Sequence, residues 1–127
     1  MDIVTTRLAL PLEVVVERLT AAIAAAPLGL VSHINGQANA ARRGLTVEGD
    51  QILEVFRPDL AVRVWAAEKA AGLDIPMRLH VYVRAGQTYV GYRRPSVIFA
   101  HYQNAALDTI GAELDGLFAG IIAAIGP

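Results

Sequence analysis

The sequence predicts an α+β domain: a two-layer sandwich with helices on one face of an antiparallel or mixed sheet of about five strands. Segments with the two-residue alternation of strands and segments with the helical three-to-four-residue repeat follow one another along the 127 residues. Two strand-like segments are also adjacent and predict a hairpin, which an all-parallel sheet does not contain. The length suits one domain, and we expect residues 1–127 to form it.

The first half of the chain alternates between predicted strands and helices. Ile3 to Leu10 is rich in β-branched residues and predicts a strand, and the apolar repeat from Leu12 to Pro27 predicts an amphipathic helix. Leu28 to Asn35 predicts a second strand, with its even-numbered residues on one face. Gln37 to Arg43 predicts a short alanine-rich helix, and Gln51 to Arg57 predicts a third strand.

The second half begins with a helix and a hairpin. Asp59 is predicted to cap a helix that ends at Gly72. Two β-rich segments, Met77 to Arg84 and Thr88 to Arg93, flank Ala85-Gly86-Gln87 and predict the hairpin.

The C-terminal part contains one ambiguous segment and the longest helix. Pro95 to Tyr102 fits neither a strand nor a helix pattern. Asn104 to Ile125 predicts the longest helix, because its large apolar residues recur at helical spacing.

Composition excludes several classes of protein. Apolar residues make up 54% and charged residues 18% of the chain, the reverse of a disordered composition. The net charge of −1 disfavours nucleic acid and anionic lipid as partners. The absence of cysteine removes disulfides, thiolate nucleophiles and cysteine-ligated metals. The apolar excess, which we assign mainly to the first and last helices, indicates either contact with another subunit or thorough burial of these helices, and we expect a homodimer.

Charge is distributed unevenly along the chain. Residues 57–94 carry seven basic and three acidic side chains, whereas residues 95–127 carry three acidic and no basic ones. We expect these two segments to meet, either within the fold or across a dimer interface. The N-terminus lacks the pattern of a secretory signal, and the apolar tail from Leu117 to Ile125 is shorter than a membrane span. These features predict a cytoplasmic protein with no membrane partner.

The hairpin is the first candidate for a functional site. Alternation places Arg78, His80 and Tyr82 on one face, opposite the apolar residues of the same strand. We expect this face to be free of helices and to bind a small anionic or planar molecule without catalysing a reaction. The predicted ligand-binding residues are Arg57, Arg78, His80, Tyr82 and Arg94. The simpler interpretation is an exposed sheet face with ordinary cross-strand pairs.

Two alternatives remain from the residues alone. The first is a small enzyme in which His33 or His101 acts as acid or base with Asp74 as orienting partner. The second is a nucleic-acid-binding module, suggested by the arginine pairs at 42–43 and 93–94. No motif predicts a metal site or a cofactor, because paired metal-ligand spacings, a nucleophile elbow and a phosphate-binding glycine loop are all missing from the sequence.

Four short motifs occur together in a familiar order. They are Gly44-Leu45 after the short helix, Phe56-Arg57-Pro58, Leu73-Asp74-Ile75-Pro76 and Tyr92-Arg93-Arg94-Pro95. In order and spacing, residues 3–120 resemble the domain-of-unknown-function 302 family. The resemblance implies a compact α+β domain related to TATA-box-binding-protein-like folds, commonly dimeric and without an established activity.

The sequence also departs from that family at three places. Members often carry Asn-Pro at Arg57-Pro58, Asn-Asp-Pro at Arg93-Arg94-Pro95, and His at Gly36. The arginines that stand here in place of neutral and acidic residues imply a more anionic ligand than is usual for the family.

Overall fold

The computed structural model describes residues 2–126 as strands and helices in alternation around one sheet. The strands are β1 (Ile3–Leu8), β2 (Gly29–Asn35), β3 (Asp50–Phe56), β4 (Met77–Arg84) and β5 (Gln87–Arg93). The helices are α1 (Leu12–Ala25), α2 (Gly36–Ala41), α3 (Pro58–Ala67), α4 (Pro95–Ala100) and α5 (Ala105–Ile125), with a 3₁₀ helix at Lys69–Asp74. The predicted α+β class is confirmed, and the ambiguous segment after the hairpin forms α4.

The sheet is antiparallel throughout, in the order β1-β5-β4-β3-β2. The predicted hairpin is confirmed and lies near the centre of the sheet. Its turn consists of Ala85 and Gly86, both with positive φ (51° and 77°), as a two-residue hairpin turn of type I′ requires. Gln87 already belongs to β5, so the turn is one residue shorter than predicted.

One face of the sheet forms the core together with the long helices. Alternate residues of the central strands are fully buried, among them Leu53, Leu79 and Val81. They belong to one cluster with the apolar stripes of α1 and α5, which include Leu19 and Leu114. The residues between them on the strands point to the other face, and this open face contains a cavity of about 780 Å³.

Charge complementarity between the middle and the end of the chain is seen within the fold. Arg63 in α3 forms a bidentate ion pair with Glu113 in α5, with Arg63 Nη1 at 2.8 Å from Glu113 Oε2. The hydrogen bond from Arg63 lowers the pKa of the Glu113 carboxyl. Asn104 also links these helices, because it caps α5 at the Leu107 amide and donates to the Ala67 carbonyl oxygen at 3.0 Å.

Local predictions were wrong in the segment around α3. Arg57, not Asp59, is the N-cap residue, because Pro58 takes the first helical position and the Asp59 carboxylate turns back to Arg57 Nε at 2.6 Å. The helix ends at Ala67 instead of Gly72, since Glu68 is extended (φ −159°) and a 3₁₀ helix follows. At the N-terminus, β1 ends at Leu8, two residues before the predicted end.

Strand β2 contains a bulge that the alternation pattern does not predict. Leu30 pairs with Val55, but Ser32 pairs with Glu54, so Val31 is the extra residue between them. Leu30 and Ser32 therefore lie on opposite faces, and the prediction that the even-numbered residues of this strand share one face was wrong at this point.

The apolar residues of the first and last helices are buried within the fold, which is one of the two predicted outcomes. Helices α1 and α5 bury their large apolar residues in the core, because each turns one continuous stripe toward the sheet. The exposed large apolar residues of the described chain lie instead on the strands β1 and β2, the segment before β3, α3 and the 3₁₀ helix. They are Ile3, Leu30, Val31, Ile34, Leu45, Val47, Val62, Trp65 and Leu73.

Candidate functional site

The candidate site is a groove on the open face of the sheet, with a cavity volume of about 780 Å³. Its floor is formed by side chains and backbone of β1, β3, β4 and β5. One wall comes from the end of the 3₁₀ helix and the Ile75-Pro76 segment, and Ile98 of α4 also lines it. This size is within the range of small-molecule sites in proteins.

Three aromatic rings form a stack on this face of the sheet, and two of them, His80 and Tyr82, line the groove. Tyr82 and Tyr89 are cross-strand partners, with ring centroids 5.4 Å apart and planes 19° apart. His80 lies two positions before Tyr82 on the same face of β4, and its ring stacks on Tyr82 at 4.5 Å. His80 Nε2 also donates to Asp50 Oδ1 at 2.9 Å, which orients the imidazole ring. The stack therefore ends in a ring held by two neighbours.

A gap in the side-chain layer lies beside the end of the stack. The cross-strand partner of His80 on β5 is Gly91, which in turn pairs with Thr5 on β1. A Cβ atom at Gly91 would lie 3.7 Å from the Val4 carbonyl oxygen, which is ordinary van der Waals contact. The groove thus reaches the backbone of β5 at a position where any other residue would place a side chain.

Charged side chains form a row beyond the gap. Arg93 Nη1 lies 2.5 Å from Asp2 Oδ2, and this hydrogen bond lowers the pKa of the Asp2 carboxyl. Glu54 faces Arg78 across β3 and β4 but accepts a hydrogen bond from Ser32 Oγ at 2.6 Å instead. Arg78 is exposed and forms no ion pair or side-chain hydrogen bond among residues 2–126. Of the two arginines in this row, Arg78 is therefore the one that has no carboxylate partner within residues 2–126.

The wall is tied to the neighbouring helix by one side-chain contact. The Tyr102 hydroxyl, just after α4, donates a hydrogen bond to Asp74 Oδ2 at the end of the 3₁₀ helix. This bond to a carboxylate, together with burial, raises the pKa of the Tyr102 hydroxyl. Leu73, at the rim of the groove, is 89% exposed. The Asp74 carboxylate therefore links the end of the 3₁₀ helix to the segment after α4.

The structure brings together three of the five predicted ligand-binding residues. Arg78, His80 and Tyr82 all line the groove. Arg57 does not, because it is held at the start of α3 by Asp59 and by the Pro27 carbonyl oxygen at 3.0 Å. Arg94 is the N-cap residue of α4 and is likewise absent from the lining.

Arg93 and Glu54 line the groove but are not among the five predicted ligand-binding residues. Alternation along β5 places Arg93 on the same face as Tyr89 and Gly91, so the sequence does indicate it, whereas Arg94 follows the end of the strand. Glu54 could not have been found, since its position opposite Arg78 depends on the register between β3 and β4.

The predicted acid-base residues are not brought together. His33 pairs with the core residue Leu53 and donates through Nε2 to Gln51 Oε1 at 2.5 Å, on the side of the sheet away from the groove. His101 is exposed at the end of α4, and only Asp74 lines the groove. Among the described residues, neither His33 nor His101 therefore forms the pair with Asp74 that this alternative requires.

Two further classes of site were searched for in the same residues. Within residues 2–126, no three side chains of His, Asp or Glu converge in a way that could hold a metal ion. None of the helices in this range has both the length and the apolar character needed to cross a bilayer.

The comparisons with known proteins agree with the resemblance inferred from the short motifs. The family described as Domain of unknown function DUF302 matches residues 4–125. The fold is similar to the crystal structure of an uncharacterized conserved DUF302 protein from Bacillus stearothermophilus, with a TM-score of 0.91, 24% identity and 99% of each chain covered. A search of the curated proteins gives no match. Because the family match spans nearly the whole sequence, the chain belongs to the DUF302 family.

Proposed function

We propose that this protein is a non-enzymatic, homodimeric domain that binds a small planar anion in the groove of its open sheet face. One observation carries the binding proposal: the aromatic stack ends at His80, beside the gap at Gly91 and next to the unpaired Arg78. Successive residues on one face of a strand are about 7 Å apart. A ring stacked on His80 therefore has its anionic substituent within reach of the Arg78 guanidinium.

The chemistry of the groove supports a ligand with an apolar, planar body. Ile3, Ile52 and Ile75 line it alongside the aromatic rings. Ring stacking contributes about 0.5–1.5 kcal/mol beyond burial, and a charge-assisted hydrogen bond about 1.5–3 kcal/mol. A molecule that has both a planar ring and an anionic group therefore gains binding free energy from the stacking contact and from the contact with Arg78.

Calorimetric titration with three matched probes tests the proposal. We expect benzoate to bind more tightly than benzamide, which lacks the charge, and more tightly than cyclohexanecarboxylate, which lacks the planar ring. Arg78→Gln should weaken benzoate binding about 10- to 100-fold, since it removes a charge-assisted contact. Arg84→Gln is the matched control, because Arg84 is exposed on the same strand but does not line the groove.

Equal binding of all three probes, or equal weakening by the two arginine substitutions, would contradict the proposed site. Each variant should also retain the melting temperature of the original protein, because both arginines are exposed.

The homodimer is supported by the exposed apolar residues of β2. This strand is at the edge of the sheet, and Val31 at its bulge is 61% exposed. An unprotected apolar edge favours pairing with another strand, and a two-fold axis would pair β2 with β2 of a second copy in antiparallel fashion.

Light scattering at micromolar concentration should therefore give twice the monomer mass. Val31→Lys should shift the protein toward monomer, because a charge at an edge strand opposes pairing. Val62→Lys in α3 is the control, since Val62 is 59% exposed and lies away from the edge. A monomer mass for the original protein would refute the homodimer.

A further inference from the structure

We propose that the ligand bound in this groove carries an ammonium group beside its carboxylate, so that it is a zwitterion with a planar ring, of the class of an aromatic α-amino acid. The proposal rests on the proposed function and adds a second charge, of positive sign, to the molecule that binds. It comes from two carboxylates, Glu54 and Asp74, that line the groove together with Arg78.

Glu54 and Asp74 reach the groove from different elements, and each uses one oxygen for a neutral donor. Ser32 Oγ donates to Glu54 Oε1 at 2.6 Å, and the Tyr102 hydroxyl donates to Asp74 Oδ2. A hydroxyl orients a carboxylate but leaves its negative charge in place. Neither carboxylate forms an ion pair within residues 2–126.

Three other carboxylates of this protein differ from Glu54 and Asp74 because each forms an ion pair with an arginine. Asp2, Asp59 and Glu113 are each paired with an arginine at 2.5–2.8 Å. The two groove carboxylates instead line the same cavity as Arg78, which pairs with neither of them. Arg93 is paired with Asp2, and His80 with Asp50. The remaining charged side chains of the groove are one cation, Arg78, and two carboxylates, Glu54 and Asp74.

This balance disfavours a ligand that carries only negative charge. An anion bound to Arg78 also approaches Glu54, its cross-strand neighbour, and like charges at short range repel. A ligand with an ammonium beside its carboxylate satisfies both signs at once. In an α-amino acid the carboxylate and the ammonium are attached to the same carbon and are therefore close together. Arg78 and Glu54 are likewise close, because they are cross-strand partners on adjacent strands.

Three matched ligands separate this proposal from the one on which it rests. L-Phenylalanine carries the ring, the carboxylate and the ammonium; 3-phenylpropionate lacks the ammonium, and 2-phenylethylamine lacks the carboxylate. In calorimetric titrations at neutral pH we expect phenylalanine to bind at least about tenfold more tightly than either analogue, the effect of one charge-assisted contact.

Conservative variants test the residues. Glu54→Gln and Asp74→Asn retain acceptors for Ser32 and Tyr102 but remove the charges. Each should weaken phenylalanine binding about tenfold and leave 3-phenylpropionate binding unchanged or improved. Glu17→Gln, on an exposed position of α1, is the control and should change neither.

If 3-phenylpropionate binds as tightly as phenylalanine, and both variants leave phenylalanine binding unchanged, the zwitterion is wrong while the planar anion survives. If none of the aromatic ligands binds, the groove proposal fails as well.

Discussion

Leu114→Ala is expected to lower the free energy of unfolding by about 2–5 kcal/mol, the largest effect we predict for a single substitution. Leu114 is fully buried (0% exposed) in α5, where its side chain belongs to the cluster that joins the long helices to the sheet. Removing it loses the transfer free energy of the side chain and leaves a cavity. Urea unfolding followed by far-ultraviolet circular dichroism measures the change.

Leu73→Ala is the matched control for that measurement. Leu73 is 89% exposed at the rim of the groove, so the same substitution there should change the unfolding free energy by no more than about 0.5 kcal/mol. Similar losses at the two positions would mean that α5 does not pack as described.

Gly111→Ala is expected to destabilise the protein by about 1–3 kcal/mol, although alanine is the better helix former. Gly111 lies in α5 where α4 approaches most closely, and a Cβ atom there would be 2.7 Å from Ser96 Cα and 3.2 Å from Ser96 N. These are backbone atoms, so relief requires one helix to move away from the other.

The same substitution at Gly116, five residues later in the same helix, should have the opposite sign. A Cβ atom at Gly116 would meet nothing within 4 Å, so Gly116→Ala should stabilise by up to about 1 kcal/mol through helix propensity. Thermal and urea unfolding of the pair separate steric cost from propensity. The close contact between α4 and α5 is refuted if both variants are more stable than the original protein.

Patterns that depend on neighbouring residues predicted most of the fold. Alternation in Met77 to Arg84 separates Leu79 from His80 by face, and the structure buries the first and leaves the second in the groove. The helical repeat after Asn104 was sufficient to find α5, because one stripe of that helix faces the core. Such patterns indicate which face of a helix or strand is exposed to solvent, and they involve only residues that are close together in the sequence.

Features that depend on distant segments could not be predicted in this way. The bulge at Val31 shifts the register in which β2 pairs with β3. It therefore depends on the partner strand and not on the β2 sequence alone. The Asp74 carboxylate is bound by Tyr102, which is 28 residues later, and no local pattern indicates this contact. Glu54 lies opposite Arg78 because of the register between β3 and β4, which the pattern of neither strand determines.

The position of β1 has a consequence for how the chain assembles during synthesis. Among the described residues, β1 is an edge strand paired with β5, with Ile3 opposite Arg93 and Leu8 opposite Thr88. The first of the five strands in chain order therefore pairs with the last, and closing this long loop carries an entropic cost that local hairpins avoid. Until β5 has been made, β1 has no native strand to pair with, whereas β2, β3 and β4 can already pair with one another.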